Sequence, residues 1–404
     1  MYNFRKLSDL GIRRARHLLR KNLNQNKWRC MSQMETPPEE KIVPQFSIPK
    51  GIVGQPTYHT HPHMIPKGHL TCGITQMEYK ERRDTLVNKL IAEVDNIHKN
   101  HVIVIPAARK QYMSDKIPYV FRQNSDFFYL TGCLEPSAIL VLVKPAQTDS
   151  YNSVLFVHEK DAHAELWEGP RSGCSVSTQL FSVDEARPVE GFNQYLTKVT
   201  SLSKPGILWY HNDNPANLDI HDNIRSVLRH GQIALEDPQR ALHQMRVIKS
   251  PAEIELMKEA CYIGSQSVNM AMACTKPGCQ RWMYNSDISR TWPVSGKFSK
   301  YHRILYELVL TVQKRLIELV GEQRPPLDQL FDQMCRLLGT HLQQEGILPK
   351  NIEGNDLIGR AYRLCPHHVS HYLGLDVHDA PLVRRRVPVA SGMVVTVEPV
   401  DIVR

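Results

Sequence analysis

Apolar positions along the chain repeat with two different periods, and the change of period marks two regions. Four short β-branched runs, Val102–Ile105, Ile139–Val143, Val154–Val157 and Ile207–Tyr210, are apolar at every position. That is the mark of strands covered on both faces. Polar or helical stretches separate them, so an α/β domain is predicted. It opens at Thr75, where Thr75 and Glu78 make a capping box for a helix bearing Leu86, Leu90, Ile91 and Val94. It closes near Arg246, and its boundaries are set at residues 73–249.

Beyond Arg246 the period becomes helical. Ser250-Pro251-Ala252-Glu253 places a Ser N-cap, a Pro at the first helical position and a Glu at the third. The helix it starts carries Ile254, Met257, Cys261 and Val268 on one face. A second helix has Leu305, Leu308, Val312, Leu316 and Val320, and a third has Leu327, Leu330, Met334, Leu337 and Leu338. All three stripes are expected to be core. Residues 250–404 are read as a second domain, and 31–72, rich in Pro and His, as an extended lead-in.

Charge changes the picture mainly at the start. The chain has 404 residues and a formal net charge of +9. Residues 1–30 hold nine Lys or Arg against one acid, Asp9, which leaves about +1 for all the rest. A basic nucleic-acid face is therefore not expected. With Phe4, Leu7, Leu10, Ile12, Leu18 and Leu19 among its arginines, the first segment reads as an amphipathic mitochondrial presequence ending near Cys30. Nowhere do 18 apolar residues run together, so no membrane span is expected. Nine cysteines without a CxxC pair suit reduced thiols in an intracellular compartment.

The candidate chemistry lies near the end. His367-His368-Val369-Ser370-His371 is followed by Asp376-Val377-His378-Asp379 and by Val397-Glu398-Pro399. Imidazoles and carboxylates this dense are too costly for a dry core, and together they are the ligand set of hard or borderline divalent metals. Ser286-Asp287-Ile288 is a second such point upstream. Two weaker candidates are set aside. His59, His61 and His63 lie on a Pro-broken arm without a carboxylate beside them, and Cys365 lacks a strand-turn-helix elbow to present it as a nucleophile.

These motifs, in order, are similar to those of the mitochondrial-type Xaa-Pro aminopeptidases, in the creatinase/aminopeptidase P/methionine aminopeptidase group. The resemblance rests on Gly54-Gln55-Pro56, Arg122-Gln123-Asn124-Ser125-Asp126-Phe127, Leu166-Trp167-Glu168-Gly169-Pro170-Arg171 and Arg246-Val247-Ile248-Lys249-Ser250-Pro251. It continues through Ser286-Asp287-Ile288-Ser289-Arg290-Thr291, the histidine cluster and Glu398. It implies an α/β N-terminal domain followed by an α+β pita-bread catalytic domain, two Mn2+ ions per site, and removal of an N-terminal residue that precedes proline. Metal-activated hydroxide is the implied nucleophile, since a pair of ions about 3.5–4 Å apart can share it and polarise the scissile carbonyl.

Residue by residue, the resemblance implies Asp287, His371 and Glu398 as metal ligands, with Glu398 also a proton acceptor. It implies His378 as the group that holds the carbonyl and developing oxyanion, and Arg171 as a cleft-lining substrate contact. Asp376 is read as structural, and Arg122 with Asp126 as an ion pair inside the N-terminal domain. Three departures from the family pattern are noted. Lys276 stands where the family's first aspartate is expected, about seventy residues before Asp287 have no counterpart, and the chain stops at Arg404, before the family's last glutamate. At most one well-held metal is expected, in a pita-bread domain that is internally shortened. The expected partners are proline-containing peptides, with a homodimer left open and mitochondria as the location, the cytoplasm second. The contrasting reading is a non-catalytic binding protein of the same family.

Overall fold

The computed structural model describes residues 48–399 apart from 95–98, 115–116, 147, 204, 214–216, 231–232, 275–289, 294 and 366. The expected presequence and both Lys276 and Asp287 lie outside the described residues.

The apolar runs form the predicted strands. A six-stranded sheet is built from β1 (Asn100–Pro106), β2 (Ile139–Lys144), β3 (Asn152–Val157), β4 (Glu185–Pro188), β5 (Gly206–Trp209) and β6 (Ala234–Glu236), in the order β6-β5-β1-β2-β3-β4. β1, β2 and β3 pair antiparallel, with Val102 opposite Val143 and Ile139 opposite Phe156. β5 joins β1 in parallel, β6 joins β5, and β4 joins β3.

Alternate side chains go to opposite faces, as a strand's period of two requires. Ile103, Ile105, Leu140, Leu142 and Leu155 pack with Leu86 and Leu90 of helix α1 (Gln76–Glu93) and with Phe127 and Leu130 of α2 (Ser125–Thr131). Val102, Val104, Val141, Val154 and Phe156 face the other way, onto Phe192 and Leu196 and onto Ile220 and Ile224. Each side of the sheet is covered, which explains why the runs are apolar throughout.

The junction is stapled by charge and caps. Thr75 Oγ1 accepts from the Glu78 amide at the start of α1. At Ser250 the capping box closes both ways: the Ser250 amide donates to Glu253 and the Glu253 amide to Ser250 Oγ (2.9 and 3.2 Å). Ser250 Oγ also donates to Glu78 across the two regions (2.7 Å).

The helix that begins there, Pro251–Cys274, departs from expectation. Cys261 is exposed, Ile254, Met257 and Val268 are only half-buried, and Tyr262, Ile263 and Met270 are also exposed. The apolar stripe is present, but among the described residues little packs over its C-terminal half. An apolar cleft of about 830 Å3 runs beside it, bordered by Leu256, Met257, Ile65 and Leu70. The other two stripes do become core. Leu308, Val312 and Leu316 of Lys300–Gln323 pack on Leu330, Met334 and Leu338 of Leu327–Gln344, with Ala361 of a further helix, Gly354–Leu364. Strand pairing in this half, among the described residues, consists of isolated bridges: Ile248 with Met393, Pro326 with Pro388, and Tyr372 with Val395. No described helix is long and apolar enough to cross a membrane.

Candidate metal site

Two extended segments bring the predicted ligands together. The Glu398 amide donates to Val369 O (2.8 Å), the Thr396 amide to His371 O (3.0 Å) and the Leu373 amide to Val394 O (3.0 Å). This antiparallel run puts His371 beside Glu398. His371 Nε2 lies 3.0 Å from Glu398 Oε1, both side chains being mostly buried.

The chemistry of that pair points to a cation. His371 Nδ1 is 3.1 Å from Tyr372 O, and a carbonyl can only accept. The proton of a neutral ring is thus assigned to Nδ1, which leaves the Nε2 lone pair turned toward the carboxylate. Glu398 Oε1 is buried and, among the described residues, receives no hydrogen bond of sound geometry. Two acceptors facing at this distance need a proton or a metal ion between them, and backbone-fixed imidazole is how metal-binding histidines are oriented. The residues present therefore fit a divalent metal. Asp287, the expected third ligand, lies outside the described residues. Among the described residues no group of three such side chains converges.

His378 stacks edge-to-face on His371, with ring centroids 4.4 Å apart and planes at 78°. Both rings and Glu398 line a cleft of about 870 Å3, bordered also by Tyr372, Asp328 and the run Arg384–Arg386. The neighbouring histidines are occupied differently. His368 stacks on Phe331 (5.0 Å) with Nε2 3.5 Å from Asp328, and burial together with Arg385 pushes its pKa down. His367 is exposed, with Nδ1 against His368 O. Cys365 is fully buried in the helical core, which removes it as a nucleophile. In the lead-in, His59 Nε2 contacts Ile48 O and the His61 and His63 rings sit 5.8 Å apart.

Three expectations are corrected or refined. Arg171 lines neither cleft: its guanidinium is held by Glu168 (3.2 Å) and Glu159 O, because Glu168 is only one helical turn away in sequence. Arg122 and Asp126 do not pair with each other. Arg122 reaches Asp376 (2.7 Å), which joins the two halves of the chain, and Asp126 reaches Arg246 (2.7 Å) within the N-terminal domain. Asp376 is structural, as expected; although burial opposes it, hydrogen bonds from Arg246 and Ser125 hold its carboxyl below the usual range. Sequence reasoning did not foresee that Arg246 and Lys249 grip the aspartates around His378. The available signal was two cations three apart at the domain junction and paired aspartates around His378.

Comparison with known proteins agrees with this arrangement. Residues 79–209 match the aminopeptidase P N-terminal domain, and residues 272–403 match metallopeptidase family M24. Xaa-Pro aminopeptidase 3 of Homo sapiens is 33% identical over 421 positions, covering 88% of this chain and 82% of the relative. Intermediate cleaving peptidase 55 of Saccharomyces cerevisiae is 30% identical, covering 86% and 78%. Among solved structures, Saccharomyces cerevisiae Icp55 superposes with a TM-score of 0.68 at 27% identity, over 82% of this chain and 87% of that one. Zn-substituted E. coli aminopeptidase P in complex with product gives 0.70 at 26%, over 80% and 86%.

A mixed sheet domain joined to a pita-bread domain that sets imidazole against carboxylate in a cleft defines a metal-dependent peptidase. The chain belongs to metallopeptidase family M24, with an aminopeptidase P-type N-terminal domain. Its chemistry is therefore divalent-metal-dependent hydrolysis of peptides. The human alignment spans 421 positions with 88% of this chain, about 356 residues, so about 65 aligned positions of that relative have no counterpart here.

Proposed function

We propose that this chain is a metalloaminopeptidase that removes the N-terminal residue from peptides with proline in second position. The observation that carries this reading is the facing pair His371 Nε2 and Glu398 Oε1, 3.0 Å apart under the ring of His378. His371, Glu398 and Asp287 are proposed to hold one divalent ion, with Mn2+ the ion proposed from the family. Such an ion would activate water and polarise the scissile carbonyl, which a tertiary amide at proline particularly needs.

The remaining steps fall to the chain's own side chains. Glu398 would also take a proton from the attacking water, through the carboxylate oxygen that the ion leaves free. His378, stacked on His371, is placed to donate to the carbonyl oxygen as negative charge develops on it. The relatives named for Xaa-Pro cleavage support proline selectivity, and a relative from Arabidopsis thaliana named intermediate cleaving peptidase 55, mitochondrial, supports a mitochondrial location.

The test is release of the N-terminal residue by the full chain with added Mn2+, from a Xaa-Pro peptide and a matched Xaa-Ala peptide. Proline-selective turnover that disappears in His371→Ala supports the proposal. A folded, Mn2+-binding chain that cleaves neither peptide overturns it and leaves a non-catalytic member of the family.

A further inference from the structure

The loop Leu373–Asp379 carries His378 between two aspartates, and both carboxylates are gripped from outside the loop. Arg246 Nη2 donates to Asp376 Oδ2 (2.6 Å) and to Asp379 Oδ1 (2.5 Å), while its Nη1 donates to Asp126 (2.7 Å). Lys249 Nζ holds the other Asp379 oxygen at 3.0 Å. Arg122 and Ser125 of the N-terminal domain both donate to Asp376 Oδ1 (2.7 Å each), and Arg122 also donates to Leu375 O (2.9 Å).

Three cations meet three carboxylates, so the cluster is neutral as a whole. At its centre Arg246, Lys249 and Asp379 have side chains 4%, 3% and 1% exposed. Buried charge of this kind persists only when every partner is in place, so the cluster admits few arrangements. The loop's own backbone is tied in too: the Asp379 amide donates to Tyr372 O (3.0 Å), next to His371.

We propose that Arg246 and Lys249 are positioning residues for His378, and that Arg122, Ser125 and Asp126 make the N-terminal domain a structural part of the cleavage site. The guanidinium fork fixes the aspartates on both sides of His378 at once, and so fixes the imidazole over His371. A lysine at 246 keeps the charge but cannot span three carboxylates. The catalytic role of His378 rests on the function proposed above, whereas the setting of the loop does not.

The experiment is hydrogen–deuterium exchange of the full, metal-free chain, followed in peptides covering Leu373–Asp379, for Arg122→Met, Arg246→Lys and Arg246→Met. Arg83→Met is the control, a buried arginine bonded to Leu130 O and Ser182 O within the N-terminal domain. Loop exchange is expected to quicken about tenfold in Arg122→Met, which loses charged hydrogen bonds. In Arg246→Met it should quicken about a hundredfold, with Arg246→Lys between. Arg83→Met should lower thermal stability and leave the loop as it is. In turnover of a Xaa-Pro peptide, kcat should fall further than KM moves in the loop variants.

Unchanged loop exchange in folded Arg122→Met and Arg246→Lys overturns the proposal, as does equal acceleration by Arg83→Met. Should Arg246→Met not fold, the first two variants decide. Failure of wild-type turnover would count against the proposed function only, because exchange reads the loop directly.

Discussion

Replacing Gly374 by alanine probes how closely the His378 loop is fitted to the charges that hold it. A Cβ at Gly374 would overlap the Asp379 carboxylate and stand 3.0 Å from Lys249 Cε. Gly374 is not among the glycines with positive φ, so the cost is steric and not a matter of backbone strain. Asp379 has no room to withdraw, being tied to both Arg246 and Lys249. Two responses bracket the magnitude. Opening the loop between Gly374 and Asp379 costs about 1–3 kcal/mol, as overpacking does. Displacing the carboxylate from its cations costs about 3–5 kcal/mol, as breaking a buried pair does. Leu375 and Val377 on the same loop are exposed, so the loop can shift outward and the first response wins. The expected loss is about 2 kcal/mol in urea unfolding of the metal-free protein, with weaker Mn2+ binding alongside. A loss below about 0.5 kcal/mol, the level of an ordinary surface substitution, would refute the tight fit.

His371→Ala should weaken Mn2+ binding by more than the roughly 10–100-fold typical of losing an outer partner of a ligand, read by titration calorimetry; an unchanged affinity would remove His371 from the ligand set. Asp376 has its carboxyl held below the usual range, so it contributes stability that is present above about pH 3.9 and is lost as pH falls through the lowered value. Asp376→Asn should therefore flatten the acid limb of a stability–pH curve below about pH 4, and an unaltered limb would count against the pairing. Two helical glycines should respond with opposite signs in denaturant melts. A Cβ on Gly321 meets nothing within 4 Å, so Gly321→Ala should stabilise by about 0.5–1 kcal/mol. On Gly339 a Cβ would stand 2.8 Å from Leu357 Cγ, so Gly339→Ala should destabilise by about 1–3 kcal/mol.

The parts of this molecule governed by local rules were legible from residue order. The four fully apolar runs became the central strands because each faces helices on both sides. Ser250 and Glu253 closed the capping box that their spacing specifies. The stripe on Pro251–Cys274 shows where such reading ends. Periodicity states which face of a helix is apolar, and only tertiary structure supplies its cover. The Arg246 cluster was illegible for a related reason. Arg122, Arg246 and Asp376 lie more than a hundred residues from one another, and the local signal of two cations three apart does not say which carboxylates they meet. Within the site, the density of imidazole and carboxylate pointed to a metal, and the family resemblance singled out His371 and His378. The contact of His371 with Glu398 depends on an antiparallel pairing that neither segment's composition announces.

That pairing has a consequence for how the protein matures. The Val369–Leu373 and Val394–Glu398 segments are separated by a short span of chain, so their ladder closes a small loop at low entropic cost. The ties from Arg246 to Asp376 and Asp379 close loops of about 130 residues and need the two halves already docked. In refolding, the imidazole and carboxylate of the ladder should meet early, while His378 takes up its station only at the final domain-docking step. Metal affinity should then recover before hydrolytic competence, with a populated form between them that binds the ion and leaves the peptide uncut.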